Sequence, residues 1–204
     1  MDGRTLARWD SRPRLGVSVI KMMTEEGWKP DPTAPIWWPE DGSNDGPFFQ
    51  DLNLQHIKQQ GPSCVPTTLA MLAKATGALV SPEDIMLEIN SQAPHTWSDA
   101  LSPYGMQLAY CNTDVRRLSH IVDELVTLDD LFLVSFYSED PPFDPPLGSG
   151  KLCTAHIVTL HRDIIFDTAK TKIRGKVPAI TYPRINNPIK RVFRVLPLGH
   201  RRCL

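Results

Sequence analysis

The sequence predicts an α+β fold in which a group of helices is followed by an antiparallel sheet. Helical patterns with their own start and stop signals dominate residues 64 to 126, and short strand patterns dominate residues 131 to 196. A run of helices followed by a run of strands is typical of this class, because strands that are close in the chain pair as antiparallel hairpins.

The length and charge of the chain narrow the class of protein. With 204 residues, the chain can bury its own core without disulfide bonds. A formal net charge of -1 argues against a dedicated nucleic-acid binder, since such domains carry a strong basic excess. The four cysteines are widely spaced and are expected to be free thiols in a reducing compartment. They are Cys64, Cys111, Cys153 and Cys203.

No targeting or membrane signal is found. The apolar run from Leu15 to Ile20 is too short for a secretory signal. No stretch approaches the roughly 18 apolar residues of a membrane span. We therefore expect a cytoplasmic protein that does not bind a membrane.

Residues 1–47 are predicted to form an N-terminal arm, and residues 48–204 the folded domain. The segment from Trp28 to Pro39 contains four prolines, which exclude a helix or a central strand. We expect the tryptophans of this segment to pin the arm to the domain; a partner-binding motif is the alternative. A polar turn cluster, Asp41 to Pro47, places the boundary near Phe48.

The helices of the domain are marked by capping residues. The first begins at Cys64 and stops at Gly77, and apolar side chains on most of its circumference indicate burial on several sides. The second begins at Ser81, an N-cap residue that is followed by a proline and two acids. Further helices are predicted over residues 97–101 and 114–126.

Strands are predicted where apolar residues alternate or form short runs. A hairpin is expected around a turn at Arg162–Asp163, and the last strand is expected to extend the sheet. The predicted strands are residues 106–111, 131–137, 154–161, 164–167 and 190–196.

Cys64 is the strongest candidate for a reactive group. It lies at the start of an apolar helix, where unpaired backbone N–H groups and the helix dipole favour a thiolate over a thiol. A cysteine nucleophile also needs an imidazole as base, and the imidazole needs an oxygen that fixes its orientation.

His156 and Asp167 meet that need best. His156 opens one strand of the predicted hairpin and Asp167 ends the next, so the hairpin brings the two side chains together. His161 lies an odd number of positions from His156 and is expected on the opposite face in a structural role. Cys153 and His156 form one Cys-x-x-His pair without a second pair, so no metal site is predicted. No phosphate-binding or dinucleotide motif is present, and no cofactor is expected.

Three segments together resemble the papain-like cysteine peptidases, and most closely the bacteriocin-processing peptidases and their stand-alone relatives. They are Gln59-Gln-Gly-Pro-Ser-Cys64-Val-Pro-Thr-Thr, Ala155-His156-Ile-Val-Thr and Ile164-Ile-Phe-Asp167. The resemblance covers residues 52 to 168. It implies a central helix, headed by the nucleophile, that packs on an antiparallel sheet.

The resemblance also implies a role for each site residue. Cys64 corresponds to the nucleophile, His156 to the general base and then acid, and Asp167 to the orienting group. A glutamine before the cysteine supplies an oxyanion-hole donor beside the cysteine's own N–H. Gln59 is the preferred donor and Gln60 the alternative. The chain differs from many relatives in having Val65 in place of glycine and Thr168 in place of proline.

The function predicted on these grounds is hydrolysis of an amide bond by a Cys-His-Asp triad, most simply in a peptidase that acts on a protein or peptide. The long loop from Ser138 to Gly150 is the candidate substrate rim, because it immediately precedes the histidine strand. Two alternatives remain open: a glutamine deamidase or transamidase that uses the same triad, and a catalytically silent protein-binding module. The oligomeric state is not predicted.

Overall fold

The computed structural model describes residues 46–111, 117–137 and 155–200 of the chain. It also gives two short paired strands, Met23–Thr24 (β1) and Gly27–Trp28 (β2). The rest of the predicted arm up to residue 45, and the predicted loop Ser138–Gly150, lie outside the described residues. Within the described ranges, no helix combines the length and the hydropathy that a membrane crossing requires.

A six-stranded antiparallel sheet forms the centre of the fold, as the α+β prediction requires. Its strands run in the order β3-β8-β4-β5-β6-β7. They are Met106–Cys111 (β3), Leu131–Tyr137 (β4), Ala155–His161 (β5), Ile164–Phe166 (β6), Lys176–Pro178 (β7) and Ile189–Pro197 (β8). The last strand does not extend an edge: β8 pairs with β3 on one side and β4 on the other. The strand β7 was not predicted. It has only three residues, of which the two outer ones are exposed, so its sequence is too short to show an alternation of apolar and polar side chains.

Four α-helices accompany the sheet in the described part of the chain. They are Cys64–Ala75 (α1), Pro82–Glu88 (α2), Pro94–Leu101 (α3) and Val122–Thr127 (α4). The N-terminus of α2 is a reciprocal capping box, in which Ser81 and Asp84 each bond the other's backbone N–H. Of the helix predicted over residues 114–126, residues 114–116 lie outside the described residues, and the described remainder holds a shorter α-helix than expected. A 3-10 turn at Leu118–His120 precedes α4, and Ile121 between them has a non-helical φ of -131°.

The sheet carries a hydrophobic core on each face. Helices α1, α2 and α3 contribute to one core, together with Leu133 of β4 and Ile157 of β5. The following residues, Val134 and Val158, point into the second core, which includes side chains of α4. This alternation follows from the two-residue period of a strand. Because α1 is buried along most of its length, its position on the sheet is tightly set.

A buried ion pair joins the start of the described domain to the sheet. The Arg194 guanidinium donates to Asp130 Oδ2 from Nε at 3.0 Å and from a terminal nitrogen at 2.7 Å. Asp130 Oδ1 accepts the backbone N–H of Phe49, and the guanidinium stacks on the Phe48 ring. His161 contacts the Phe49 carbonyl through Nε2 at 2.9 Å. Residues 48 and 49 are thereby fixed to the folded body; the domain boundary itself stays a prediction.

Candidate active site

Helix α1 presents Cys64 at its first position, as the sequence predicts. The preceding residue, Ser63, does not cap the helix with its side chain, and the first turn has no acidic residue. The Ser63 hydroxyl instead donates to the Gln60 carbonyl at 2.7 Å. No carboxylate in the first turn of α1 therefore offsets the positive end of the helix dipole near the Cys64 sulfur.

The β5–β6 hairpin brings His156 and Asp167 together. Its turn lies at Arg162–Asp163, where Arg162 has a φ of 58°. Thr159 pairs with Phe166, so the next position along the hairpin sets Asp167 opposite Val158. His156 lies two residues before Val158 in β5 and therefore on the same face of the sheet. Across this diagonal, His156 Nε2 lies 2.7 Å from Asp167 Oδ1. Both side chains are buried, at 10% and 4% exposure.

Cys64 reaches this pair from the other core. It packs in the same cluster as Ile157 and Phe166, the sequence neighbours of His156 and Asp167. The sulfur and the His156 ring are neighbours, and a hydrogen bond with the Cys64 side chain contributes to the raised pKa of His156. Because Nε2 of the imidazole bonds Asp167, Nδ1 is the ring nitrogen that is left to bond the sulfur. The three predicted residues thus form one chain of contacts from sulfur to imidazole to carboxylate.

The surroundings of His156 favour its protonated form. Burial alone would lower the pKa of His156, but hydrogen bonds to Asp167 and Cys64 and the electrostatic interactions with these groups raise it to about 9. At neutral pH the ring is then an imidazolium, with a donor on each nitrogen. It donates to the carboxylate on one side and to the sulfur on the other.

Asp167 stays ionised because several groups donate to it. Burial would raise its pKa, but the hydrogen bond and charge of His156, the Ala169 N–H and the Tyr182 hydroxyl together lower it. The Ala169 N–H lies 3.0 Å from Oδ1, and the Tyr182 hydroxyl lies 3.0 Å from Oδ2. Sequence reasoning missed Tyr182, because it follows a short 3-10 turn fifteen residues after Asp167 and belongs to no motif.

A second histidine, His56, also supports Asp167. Its Nε2 lies 2.9 Å from the Asp167 carbonyl oxygen, and its ring is buried. The Asp167 N–H donates to the Gly175 carbonyl at 2.8 Å, so both backbone groups of Asp167 are engaged. A Cβ at position 175 would overlap His56 Nε2 and lie 2.8 Å from the Asp167 oxygen. His56 lies in an irregular segment, and no local sequence pattern indicates its role.

Gln59 is fixed beside Asp167, whereas the Gln60 side chain is exposed. The Gln59 N–H donates to the Thr168 carbonyl at 2.8 Å, and the Thr168 hydroxyl donates to Gln59 Oε1 at 2.9 Å. The Gln59 amide nitrogen donates to the Gly61 carbonyl at 2.8 Å. Thr168, the residue after Asp167, is therefore bonded to the loop that precedes Cys64. Val65, the residue after Cys64, is buried.

Cys111 is separate from this site. It is buried in the second core, where its thiol lies 3.8 Å from the Ala109 carbonyl oxygen. Among residues 46–111, 117–137 and 155–200, no group of three or more potential ligands could hold a metal ion.

A scan of the chain against protein-family models gives no match, and neither does a search of curated proteins. A function can therefore be proposed from the geometry of the site and from the resemblance of the Cys64, His156 and Asp167 segments to the papain-like peptidases.

Proposed function

We propose that this protein is a cysteine-dependent hydrolase of amide bonds, most simply a peptidase, with a papain-like fold. The observation that carries the proposal is the placement of His156. One of its ring nitrogens bonds a buried carboxylate, and the other faces the sulfur of Cys64 at a helix N-terminus. Nucleophilic cysteine catalysis requires this order of groups.

The proposed reaction has two stages. The Cys64 sulfur attacks the amide carbonyl carbon, a C–S bond forms, and the C–N bond breaks as His156 passes its Nδ1 proton to the leaving amine. Neutral His156 then takes a proton from water, which attacks the thioester and releases the acid and the free thiolate. Asp167 holds the ring throughout and balances its positive charge.

The oxyanion formed in each stage needs hydrogen-bond donors. The backbone N–H of Cys64 is one candidate, because the first N–H groups of a helix have no intrahelical partner. The amide of Gln59 is the preferred second donor. One of its two hydrogens goes to the Gly61 carbonyl, which leaves the other for substrate. Gln60 remains the alternative donor.

The arrangement of layers supports the papain-like assignment. Helix α1 carries the nucleophile and packs with α2 and α3 on one face of an antiparallel sheet, and the histidine lies near the start of β5. The Ser138–Gly150 loop precedes β5, so we keep it as the candidate substrate rim. A free thiol nucleophile also fits the proposed cytoplasmic, reducing location.

Comparison of lysates treated with the purified chain and with a Cys64→Ala variant tests the proposal. New peptide N-termini that depend on Cys64 would support a peptidase. Glutamine-to-glutamate mass shifts would point to deamidation, in which the same acyl intermediate forms on a side-chain amide, and added amines would point to transamidation.

A Cys111→Ala variant is the matched control, because it removes a thiol from the other core and should leave the products unchanged. If no Cys64-dependent product of any kind forms, and Cys64 reacts with iodoacetamide no faster than the other cysteines, the catalytic proposal is wrong. The silent binding module would then remain.

A further inference from the structure

The Asp167 carboxylate uses its two oxygens for different partners. Oδ1 faces His156 and also accepts the Ala169 N–H, whereas Oδ2 accepts the Tyr182 hydroxyl. A carboxylate that is held only through Oδ1 can still turn about its terminal torsion, which is soft. The Tyr182 hydroxyl removes that freedom.

Tyr182 is itself firmly held. It closes the 3-10 turn Ala179–Thr181, where its N–H donates to the Ala179 carbonyl at 3.2 Å. Its carbonyl accepts the Ile185 N–H at 2.9 Å. The ring is 3% exposed and packs against Phe136 of β4, with 5.8 Å between ring centroids. The hydroxyl is thus a rigid donor built into the second core.

Burial and the nearby Asp167 charge raise the pKa of Tyr182, so its hydroxyl keeps its proton over the whole working range of pH. The same hydrogen bond lowers the pKa of Asp167. If the Tyr182 hydroxyl were removed, Oδ2 would lose this donor inside the protein. The pKa of Asp167 would then rise, because its charged form would be less well stabilised.

We infer that Tyr182 is a positioning residue of the proposed catalytic site: its hydroxyl fixes the Asp167 carboxylate so that Oδ1 holds His156 with Nδ1 towards Cys64. This inference rests on the proposed function. Tyr182 contacts neither the sulfur nor the imidazole in the hydrogen bonds described above, so it acts only through Asp167.

The test is a Tyr182→Phe variant, which keeps the ring and deletes the hydroxyl. The rate of Cys64 labelling by iodoacetamide is measured from pH 4 to 10 by peptide mass spectrometry, which needs no substrate. Because Asp167 becomes easier to protonate, the acid limb of the profile should move up by roughly one pH unit. Tyr104→Phe is the matched control, since Tyr104 packs against the other core, and its profile should equal that of the unmodified chain.

A double-mutant cycle separates positioning from a general loss of fold. If Tyr182 acts through Asp167, Tyr182→Phe should not change the labelling profile further in an Asp167→Asn background. A shift of equal size in both backgrounds would overturn the inference. If Tyr182→Phe does not fold, 3-fluorotyrosine at position 182 provides the test, because its stronger donor should move the acid limb to lower pH.

The outcomes distinguish the two proposals. Selective labelling of Cys64 in the unmodified chain with an unchanged profile in the Tyr182 variant would disprove the positioning role alone. Absence of selective Cys64 labelling in the unmodified chain would disprove the catalytic proposal and the positioning role together.

Discussion

At the scale of single residues, Asp167 affects His156 in two ways. Its charge favours the imidazolium, and its hydrogen bond to Nε2 sets the direction of the ring. Both effects require the carboxylate to stay ionised inside the protein, which explains why it accepts bonds from a backbone N–H and a hydroxyl as well as from the imidazole.

Replacing Asp167 with Asn should therefore lower the pKa of His156 from about 9 towards 6.5, because the hydrogen bond to a carboxylate and the negative charge are both lost. We expect a fall of more than roughly one pH unit, since an ion pair at this distance contributes at least that much. Titration of the His156 ring signals by NMR measures the change. Asp163→Asn is the control, since Asp163 lies exposed on the turn of the same hairpin. An unchanged His156 titration in Asp167→Asn would contradict this assignment of cause.

At the scale of elements, the site depends on how two loops fit together. The segment from His56 to Gln59 lies along Asp167 and Thr168, and three hydrogen bonds join the two segments. Gly175 lies against both. The loop before Cys64 and the loop after Asp167 are therefore bonded and packed together as one unit.

A Gly175→Ala substitution should disrupt this unit, because the added methyl group would overlap the His56 ring and crowd the Asp167 carbonyl. We expect a loss of at least about 2 kcal/mol of unfolding free energy, together with slower Cys64 labelling. Urea denaturation and labelling kinetics measure the two effects. Gly105→Ala is the control. A methyl group at position 105 would meet open space, but the φ of 76° is unfavourable for alanine, so the substitution should cost about 1 kcal/mol of unfolding free energy and leave Cys64 labelling unchanged. Equal labelling losses in both variants would refute the steric explanation.

The Asp130–Arg194 pair is a contact between charged groups, and both of its side chains are buried. Removing one partner, as in Arg194→Met, leaves an uncompensated carboxylate and should cost about 3–5 kcal/mol of unfolding free energy. The exposed pair Arg162–Asp129 provides the comparison: Asp129→Asn should cost under about 1 kcal/mol. Similar costs for the two variants, measured by urea denaturation, would show that burial does not set the contribution of the Asp130–Arg194 pair.

At the scale of the whole molecule, the raised pKa of His156 links folding to pH. The folded chain binds this proton with a pKa of about 9, against an ordinary value of 6.5. The resulting stabilisation is fully present below pH 6.5 and is lost as the pH rises through about 9. The difference between these pKa values corresponds to about 3 kcal/mol.

We therefore expect the unfolding free energy to fall between pH 6.5 and 9 by up to about 3 kcal/mol. Urea denaturation over this range is the measurement. A His156→Gln variant should show a flatter dependence on pH, whereas His120→Gln, at an exposed position, should follow the unmodified chain. Parallel curves for all three proteins would mean that His156 does not carry the effect.

The sequence-based predictions succeeded where the interacting residues are close together in the chain, and failed where they are far apart. The β5–β6 hairpin and the helix N-cap at Ser81 rest on signals only a few residues apart, and both are confirmed. Val122–Thr127 was predicted too long, because apolar spacing does not reveal the break at Ile121. The position of β8 inside the sheet was also missed, since alternation identifies a strand but not its neighbours.

The sequence by itself determined the α+β class, the hairpin that joins His156 to Asp167 and the place of Cys64 at a helix start. Each of these depends on periodicity, caps and turns, which act over short stretches of chain. Only the tertiary structure decided the strand order, the burial of Arg194 with Asp130 and the groups that hold Asp167. His56 lies 111 residues from Asp167 in the chain and still contacts its carbonyl. Contacts of this kind leave no local pattern, because the two side chains meet only after the loops that carry them have packed together.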